Sequence, residues 1–284
     1  MDIYKKMEKL EAVRRQVSAG VCLIGIGVII FFIAMGIFQS GTWSFIGLAI
    51  GVVGGFLIPG THEKYKVIYK DLFAKGPLDK NFDDVFYAWR AGFDLETVNN
   101  FQICKEGNLI ESEDYVKAVY NGISFEMADV ILKDKYKSSK SGENICFYGR
   151  MIVFDFPGKQ VSSTRVFSKT FRRLPADDII RHNKVEMESS RFNNTFGVYT
   201  EDAHDAFYLL TPDFMEQLER LQKKYEDVGI SFNGNKAVVA FREVNDSFDK
   251  NDWIAKEVVY PEEIAKVQRD IDDIKIIIDM VCRR

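Results

Sequence analysis

The sequence predicts an α+β protein: an N-terminal two-helix transmembrane hairpin followed by a cytoplasmic antiparallel sheet packed with helices. Three observations lead there. No Asp, Glu, Lys or Arg occurs from Gln16 to Thr61, although 28% of the chain is charged. Beyond residue 108, short apolar runs alternate with Gly, Pro and Asn turns, which is the pattern of strands. After Pro261 a helical period returns.

Taken in order, residues 1–16 read as an amphipathic juxtamembrane helix, because Ile3, Met7, Leu10, Val13 and Val17 recur at three- and four-residue intervals. This helix either lies along the inner leaflet, lysines near lipid phosphates, or runs straight on into the first span. Residues 17–61 form the hairpin and divide at Gln39-Ser40-Gly41-Thr42. The first arm, 17–38, has 22 uncharged residues, enough for about 30 Å of hydrocarbon. The second, 43–61, has a core of only 16 residues before Pro59-Gly60, so it borrows Gly60 and Thr61 or thins the bilayer. A cleaved signal peptide is disfavoured, since its apolar core is shorter and no second apolar stretch follows at once.

Lys5, Lys6, Lys9, Arg14 and Arg15 precede the first arm, Lys64, Lys66 and Lys70 follow the second, and the turn carries no charge, which puts both termini inside. Trp43 fits the outer interface, Tyr65 and Tyr69 the inner one. Gly47, Gly51 and Gly55 fall on one helix face, where another helix can approach closely. The partner is the first arm or a second copy of the chain. Neither arm holds an ionisable residue, the usual mark of a transport path, so the hairpin reads as an anchor.

Residues 62–107 read as a helical stalk: Tyr65, Ile68, Leu72 and Phe73 form one stripe, Gly76-Pro77 a break, and Phe82, Val85, Phe86, Trp89 and Phe93 a second helix. Residues 108–245 read as the α+β domain. Its strongest signal is Asn121-Gly122 between Tyr115–Tyr120 and Ser124–Leu132, a hairpin. Residues 137–144 are an exposed loop. Ile145–Phe156 and Lys159–Ser168 form a strand pair around Pro157-Gly158, and Val185–Glu188, Phe196–Tyr199 and Ala206–Leu210 are further strands. Thr211-Pro212-Asp213 opens a helix to about Tyr225, with Phe214, Leu218 and Leu221 inward. Ile230–Phe232 and Lys236–Glu243 close the sheet across Asn233-Gly234-Asn235. In 246–284, a linker leads to a helix with a heptad seam of Ile264, Val267, Ile271, Ile274, Ile278 and Val281, which either pairs with another chain or docks on its own domain.

Several stretches together carry a family likeness: Ser112-Glu113-Asp114-Tyr115, residues 121–128, and above all Phe192–Asp202 running into Tyr208-Leu209-Leu210-Thr211-Pro212-Asp213-Phe214-Met215. They resemble an uncharacterised bacterial family of two-span membrane proteins known only as a domain of unknown function, with the Leu-Thr-Pro segment the most specific part. The resemblance implies a bacterial inner-membrane setting and a membrane-anchored protein partner. It supplies no catalytic residue and no cofactor. The isoleucine-rich tail departs from many relatives.

For chemistry of its own the chain offers little. Its three histidines are His62, His182 and His204, and only His204, in Glu201-Asp202-Ala203-His204-Asp205, lies beside carboxylates. An enzyme, metal-dependent around Asp202, His204 and Asp205, is therefore the alternative, set against a turn where acidic residues are routine. No nucleotide-binding, hydrolase or zinc-protease motif is present. Cys22, Cys104, Cys146 and Cys282 lack metal spacing and read as inert thiols. Five basic and three acidic residues precede Val17, which leaves the remaining chain 33 basic and 39 acidic, a poor nucleic-acid binder. Within that acidic remainder Arg165, Lys169, Arg172, Arg173, Arg181 and Lys184, interleaved with Phe167 and Phe171, form a basic aromatic stretch, of which the first four are the candidate contact for anionic lipid or a partner; the alternative is a solvated strand and loop whose charges pair with Asp177 and Asp178. The expected function is a membrane-anchored, non-enzymatic binding or scaffold protein, with the lipid bilayer as one partner and no cofactor.

Overall fold

A computed structural model describes residues 3–38, 41–135, 144–156, 160–171, 184–225, 227–242, 248–249, 254 and 256–282. It forms two compact units: Met1–Lys80 with Asp246–Asp270, and Asn81–Asn245 with Ile271–Arg284.

In the first unit, α1 (Ile3–Ile33) is one unbroken helix that ends in a widened turn, Ala34–Phe38, and α2 (Gly41–Phe56) returns beside it. The amphipathic stretch thus runs without a break into the apolar helix. Its stripe has a protein partner: Leu10 and Val17, flanked by Met7 and Val13, pack on Tyr65, Tyr69, Leu72 and Phe73. These come from α3 (Thr61–Tyr69) and the widened turn Lys70–Lys75 that follows it. Tyr65 and Tyr69 are accordingly interior residues of this unit, not interfacial ones, and Tyr69 donates its hydroxyl to Glu263 Oε2 at 2.8 Å. The second arm ends as helix at Phe56, because Gly60, at φ 72°, turns the chain before α3 starts.

The break expected at Gly76-Pro77 does not occur. The widened turn runs directly into α4 (Gly76–Asn81). A proline inside a continuous helix removes one i→i−4 hydrogen bond and crowds the preceding turn, and the widened turn Lys70–Lys75 lies at that place.

The second unit is built on a nine-stranded, wholly antiparallel sheet of order β1-β2-β3-β4-β9-β8-β5-β7-β6. Its strands are β1 (Asp83–Ala88), β2 (Leu109–Tyr120), β3 (Ile123–Asp134), β4 (Asn144–Asp155), β5 (Val161–Ser168), β6 (Lys184–Val185), β7 (Phe196–Thr200), β8 (Val228–Gly234) and β9 (Lys236–Phe241). The Asn121-Gly122 hairpin forms as expected: both residues have positive φ, 51° and 82°, as its tight turn requires.

Three expectations fail here. Residues 83–88 are a strand, not a stalk helix, and Phe86 lies exposed on it. A six-residue segment is too short to hold a helix by itself, and the outer edge of β2 offers it ladder hydrogen bonds. β4 and β5 do not pair with each other; the β8–β9 hairpin lies between them. The Pro157-Gly158 turn lies outside the described residues. Ala206–Leu210 falls in a helix, α7 (Ala203–Leu209), because Asp202 caps it by accepting from His204 N.

Elsewhere α5 (Leu95–Asn100) follows β1, and α6 (Ser190–Thr195) precedes β7. α8 (Pro212–Tyr225) opens as expected, Thr211 Oγ1 accepting from Phe214 N at 3.3 Å, with Phe214, Leu218 and Leu221 buried. α9 (Tyr260–Cys282) carries the heptad seam. Val267, Ile271, Ile274, Ile278 and Val281 are buried and Ile264 half-buried. Within the second unit Tyr225 donates to Asp273 at 2.6 Å, Tyr120 to Asp279 at 3.3 Å and Lys275 to Asn81 Oδ1 at 2.7 Å, which fixes the C-terminal half of that helix.

Candidate functional site

The antiparallel register places one residue from each of five adjacent strands in a single row: Glu126, Val153, Val238, Ser231 and Arg165. Neighbours in the row are directly paired, so their side chains share one face of the sheet. Part of this face is covered by the chain between β1 and β2, which packs Phe93, Val98, Ile103 and Cys104 onto Ala128, Val130, Leu132 and Met151.

The cover is pinned at both ends. A Cβ on Gly92 would meet Ser112 Oγ at 2.2 Å, and one on Gly107 the Lys133 carbonyl oxygen at 2.6 Å, so only glycine lets the backbone come this close. Ser112 Oγ also accepts from Phe93 N at 3.1 Å. The Asn99 side chain exchanges two hydrogen bonds with the Gly107 backbone, at 3.0 and 3.1 Å. Asp94 caps α5 by accepting from Thr97 N at 2.7 Å, a bond that holds its carboxyl below the ordinary value of 3.8.

Between cover and row lies a cavity of about 330 Å³. Phe93 and Phe101 come from the cover, Val153 and Val238 from the sheet, and Arg165, Gln102, Ser231 and Glu126 supply polar groups. Arg165 is 2% exposed. Its Nε donates to the Gln102 carbonyl at 3.3 Å and its terminal nitrogen to Gln102 Oε1 at 2.6 Å. Burial pulls the guanidinium below its ordinary value, and the nearby Glu201 carboxylate opposes that. Gln102 meets it twice because its backbone sits at φ 50°, a left-handed conformation that a non-glycine residue adopts at a cost of order 1–3 kcal/mol. Glu126, at the other end of the row, bonds to Lys117 at 3.0 Å. It also holds the half-buried Tyr115 hydroxyl, which burial and this bond push up to about 12.

A second, smaller cavity of about 160 Å³ lies by Cys146, Phe147, Phe171, Asp227 and Arg242. Cys104 packs in the same apolar cluster as Cys146, and burial, with Cys146 adding to it, pushes the Cys104 thiol up to about 12.

Residues 145–282 match a family model described as protein of unknown function (DUF3137). The expected resemblance to a domain of unknown function therefore holds. The matched region contains the Phe192–Met215 stretch and begins after the residues 112–128 that also carried the likeness. No curated protein matches the chain. Among solved structures it is similar to the crystal structure of the mycobacterial trehalose monomycolate transport factor A, TtfA, at 10% identity, over 73% of this chain and 95% of that one, with a TM-score of 0.39.

Among the described residues, the predicted site residues lie in separate places. Arg165 is internal, not part of a surface patch, and Lys169 is exposed, while Arg172 and Arg173 lie outside the described residues. Asp202 is occupied as a helix cap, and Asp205 accepts from Ser162 N and Oγ at 2.7 and 2.8 Å. In the hairpin, Gly47 and Gly54 meet the first arm: Cβ atoms built on them would come within 2.7 Å of Gly27 O and 2.6 Å of Gly20 O. A Cβ on Gly27 would meet the Gly51 backbone at 2.6 Å, but Cβ atoms built on Gly51 and Gly55 themselves would meet nothing within 4 Å, and the next close approach is at Gly54. Gln102, Ser231 and Glu126 were not among the residues the sequence singled out. For Ser231 the available signal was a lone polar residue within the apolar strand Val228–Phe232, whereas Arg165 follows the polar run Ser162-Ser163-Thr164 and had none.

Proposed function

We propose that this chain is a membrane-anchored, non-enzymatic binding protein whose hairpin holds the sheet unit at the inner leaflet, both termini in the cytoplasm. The observation that carries the reading is the hairpin itself. Two uncharged arms contact each other through glycines, and only 17% of the most apolar stretch of each is buried, with Phe32, Phe45 and Phe56 turned outward. Core helices of a soluble domain are buried; an apolar surface of this kind needs lipid. The basic flanks around an uncharged turn support the orientation. The structural use of Asp202 and Asp205 supports binding over metal-dependent chemistry.

Single-cysteine labelling in intact cells tests this. Thr42→Cys, in the turn region, should react with a membrane-impermeant maleimide added outside, and Asp155→Cys only after lysis. Reaction of Asp155→Cys in intact cells, or release of the chain from membranes by alkaline carbonate, overturns the reading.

A further inference from the structure

We propose that the segment around Ile254, which returns to the base of the hairpin, dips into the inner-leaflet interface and makes a third, apolar membrane contact beside α1. The inference rests on the hairpin being the anchor and adds to it a surface and a partner, the upper acyl chains of the bilayer.

This segment belongs to the same unit as the hairpin, and its described residues are fixed at three heights. Asp249 pairs with Lys66 at 3.5 Å and with the buried Lys70 at 3.2 Å. The residue after Lys70, Asp71, pairs with Lys6 near the start of α1. Val258 is buried in the cluster of Leu10, Val17 and Tyr65, and its N–H faces Glu11 Oε1 at 3.5 Å. Between these points the Ile254 carbonyl accepts from Ser18 Oγ at 3.5 Å. Ser18 stands seven residues beyond Glu11, about 10 Å further along the helix at its rise per residue. Among the described residues, Ile254 is thus the segment's furthest reach toward the membrane.

That height is the edge of the hydrocarbon. Ser18 lies three residues past Arg15, the last charge of α1, and inside the uncharged run. On the other arm, Gln16 Nε2 donates to the Leu57 carbonyl at 3.0 Å, which marks the same height just past the end of α2. Backbone groups at that depth find little water, so a hydroxyl and a carbonyl that satisfy each other there lower the cost of entry. Ile254 is 41% exposed, and Val21, on the same helix face as Ser18, is 48% exposed. Apolar surface at this height has acyl chain to cover it. Lys256 and Glu257, both exposed, follow with opposite charges, so the contact is apolar and not an attraction to anionic head groups.

The test uses the full chain in nanodiscs and tryptophan fluorescence. Trp43, Trp89 and Trp253 are replaced by phenylalanine, and a single tryptophan is returned as Ile254→Trp, as Val259→Trp, or by keeping Trp43. Both new positions are exposed, so tryptophan there displaces no interior contact. Ile254→Trp should lose about half of its emission in lipid brominated high on the acyl chains. Iodide in the buffer should quench it about fivefold more weakly than Val259→Trp, which stands near the height of Glu11. Adding anionic lipid should change neither value. Equal iodide quenching at 254 and 259 overturns the proposal. So does shielding from iodide without quenching by brominated lipid, which marks a protein cover in place of lipid, and so does lipid quenching that appears only with anionic lipid. Trp43 reports the hairpin by itself. If brominated lipid quenches Trp43 but not Ile254→Trp, the third contact is lost and the anchor stands; no quenching at Trp43 removes the anchor. Circular dichroism checks each variant. Should the phenylalanine background fail to fold, a nitroxide on Ile254→Cys, with Cys22→Ser and Cys282→Ser, decides instead: oxygen should relax it more strongly than a water-soluble nickel chelate, and the reverse order overturns the proposal.

Discussion

The hairpin and the sheet unit pack in opposite ways. Between α1 and α2 the contact is made where side chains are missing, with Gly20 against Gly54 and Gly27 against Gly47 and Gly51, backbone on backbone. In the sheet unit, large side chains fill the interior, as in the Phe82–Phe125 and Phe156–Phe232 pairs at 5.0 and 5.6 Å, and a buried arginine is neutralised by a carboxylate. Water drives the second kind of packing and is absent from the first. What a helix gains in lipid is close approach, so glycine there does the work that phenylalanine does in the sheet.

The largest expected effect comes from breaking the charge pair. Arg150, 1% exposed, forks onto Asp129 at 2.7 and 2.9 Å, so Arg150→Ala should cost about 3 kcal/mol in denaturant unfolding of the full chain, by leaving the carboxylate stranded. In the hairpin, Gly27→Leu drives a side chain into backbone 2.6 Å away and should cost about 2 kcal/mol in SDS titration of the solubilised chain. Gly25→Leu, with nothing within 4 Å, should stay within about 0.5 kcal/mol. Equal effects at Gly25 and Gly27 would refute the glycine contact.

Gly92→Ala should cost about 1 kcal/mol, because Ser112 must move away from the new methyl. Protection of the 93–104 amides from hydrogen exchange should fall with it. The smallest effect belongs to Asp94→Ala, and it depends on pH. Because the folded carboxyl titrates below its ordinary 3.8, the cap's contribution is present above that value and fades as pH falls through the lowered one. Thermal scans of variant and wild type should differ at pH 7 and converge as the pH is taken below the lowered value.

What could be read in advance was local. The charge-free run, the Asn121-Gly122 turn and the Thr211 cap each depend on a few adjacent residues, and each appears where expected. What failed was non-local. Phe82, Val85 and Phe86 satisfy a helical period, yet the free edge of β2 decides their fate. β4 and β5 look like a hairpin until β8 and β9, some seventy residues further on, come between them. Arg165 carries no sign of burial in its neighbours, since its cover, residues 93–104, lies sixty residues earlier.

The two ends of the sheet have a consequence of their own. An open sheet invites a neighbouring copy to add its strands, and a protein confined to a membrane surface meets its copies often. Here β1 is interrupted by a bulge at Asp84, φ 50°, with Asp83 and Asp84 both exposed. At the opposite end, β6 is two residues long and bears the Lys184–Glu186 ion pair. Among the described residues, both rims are thus poor templates for a strand of a neighbouring copy.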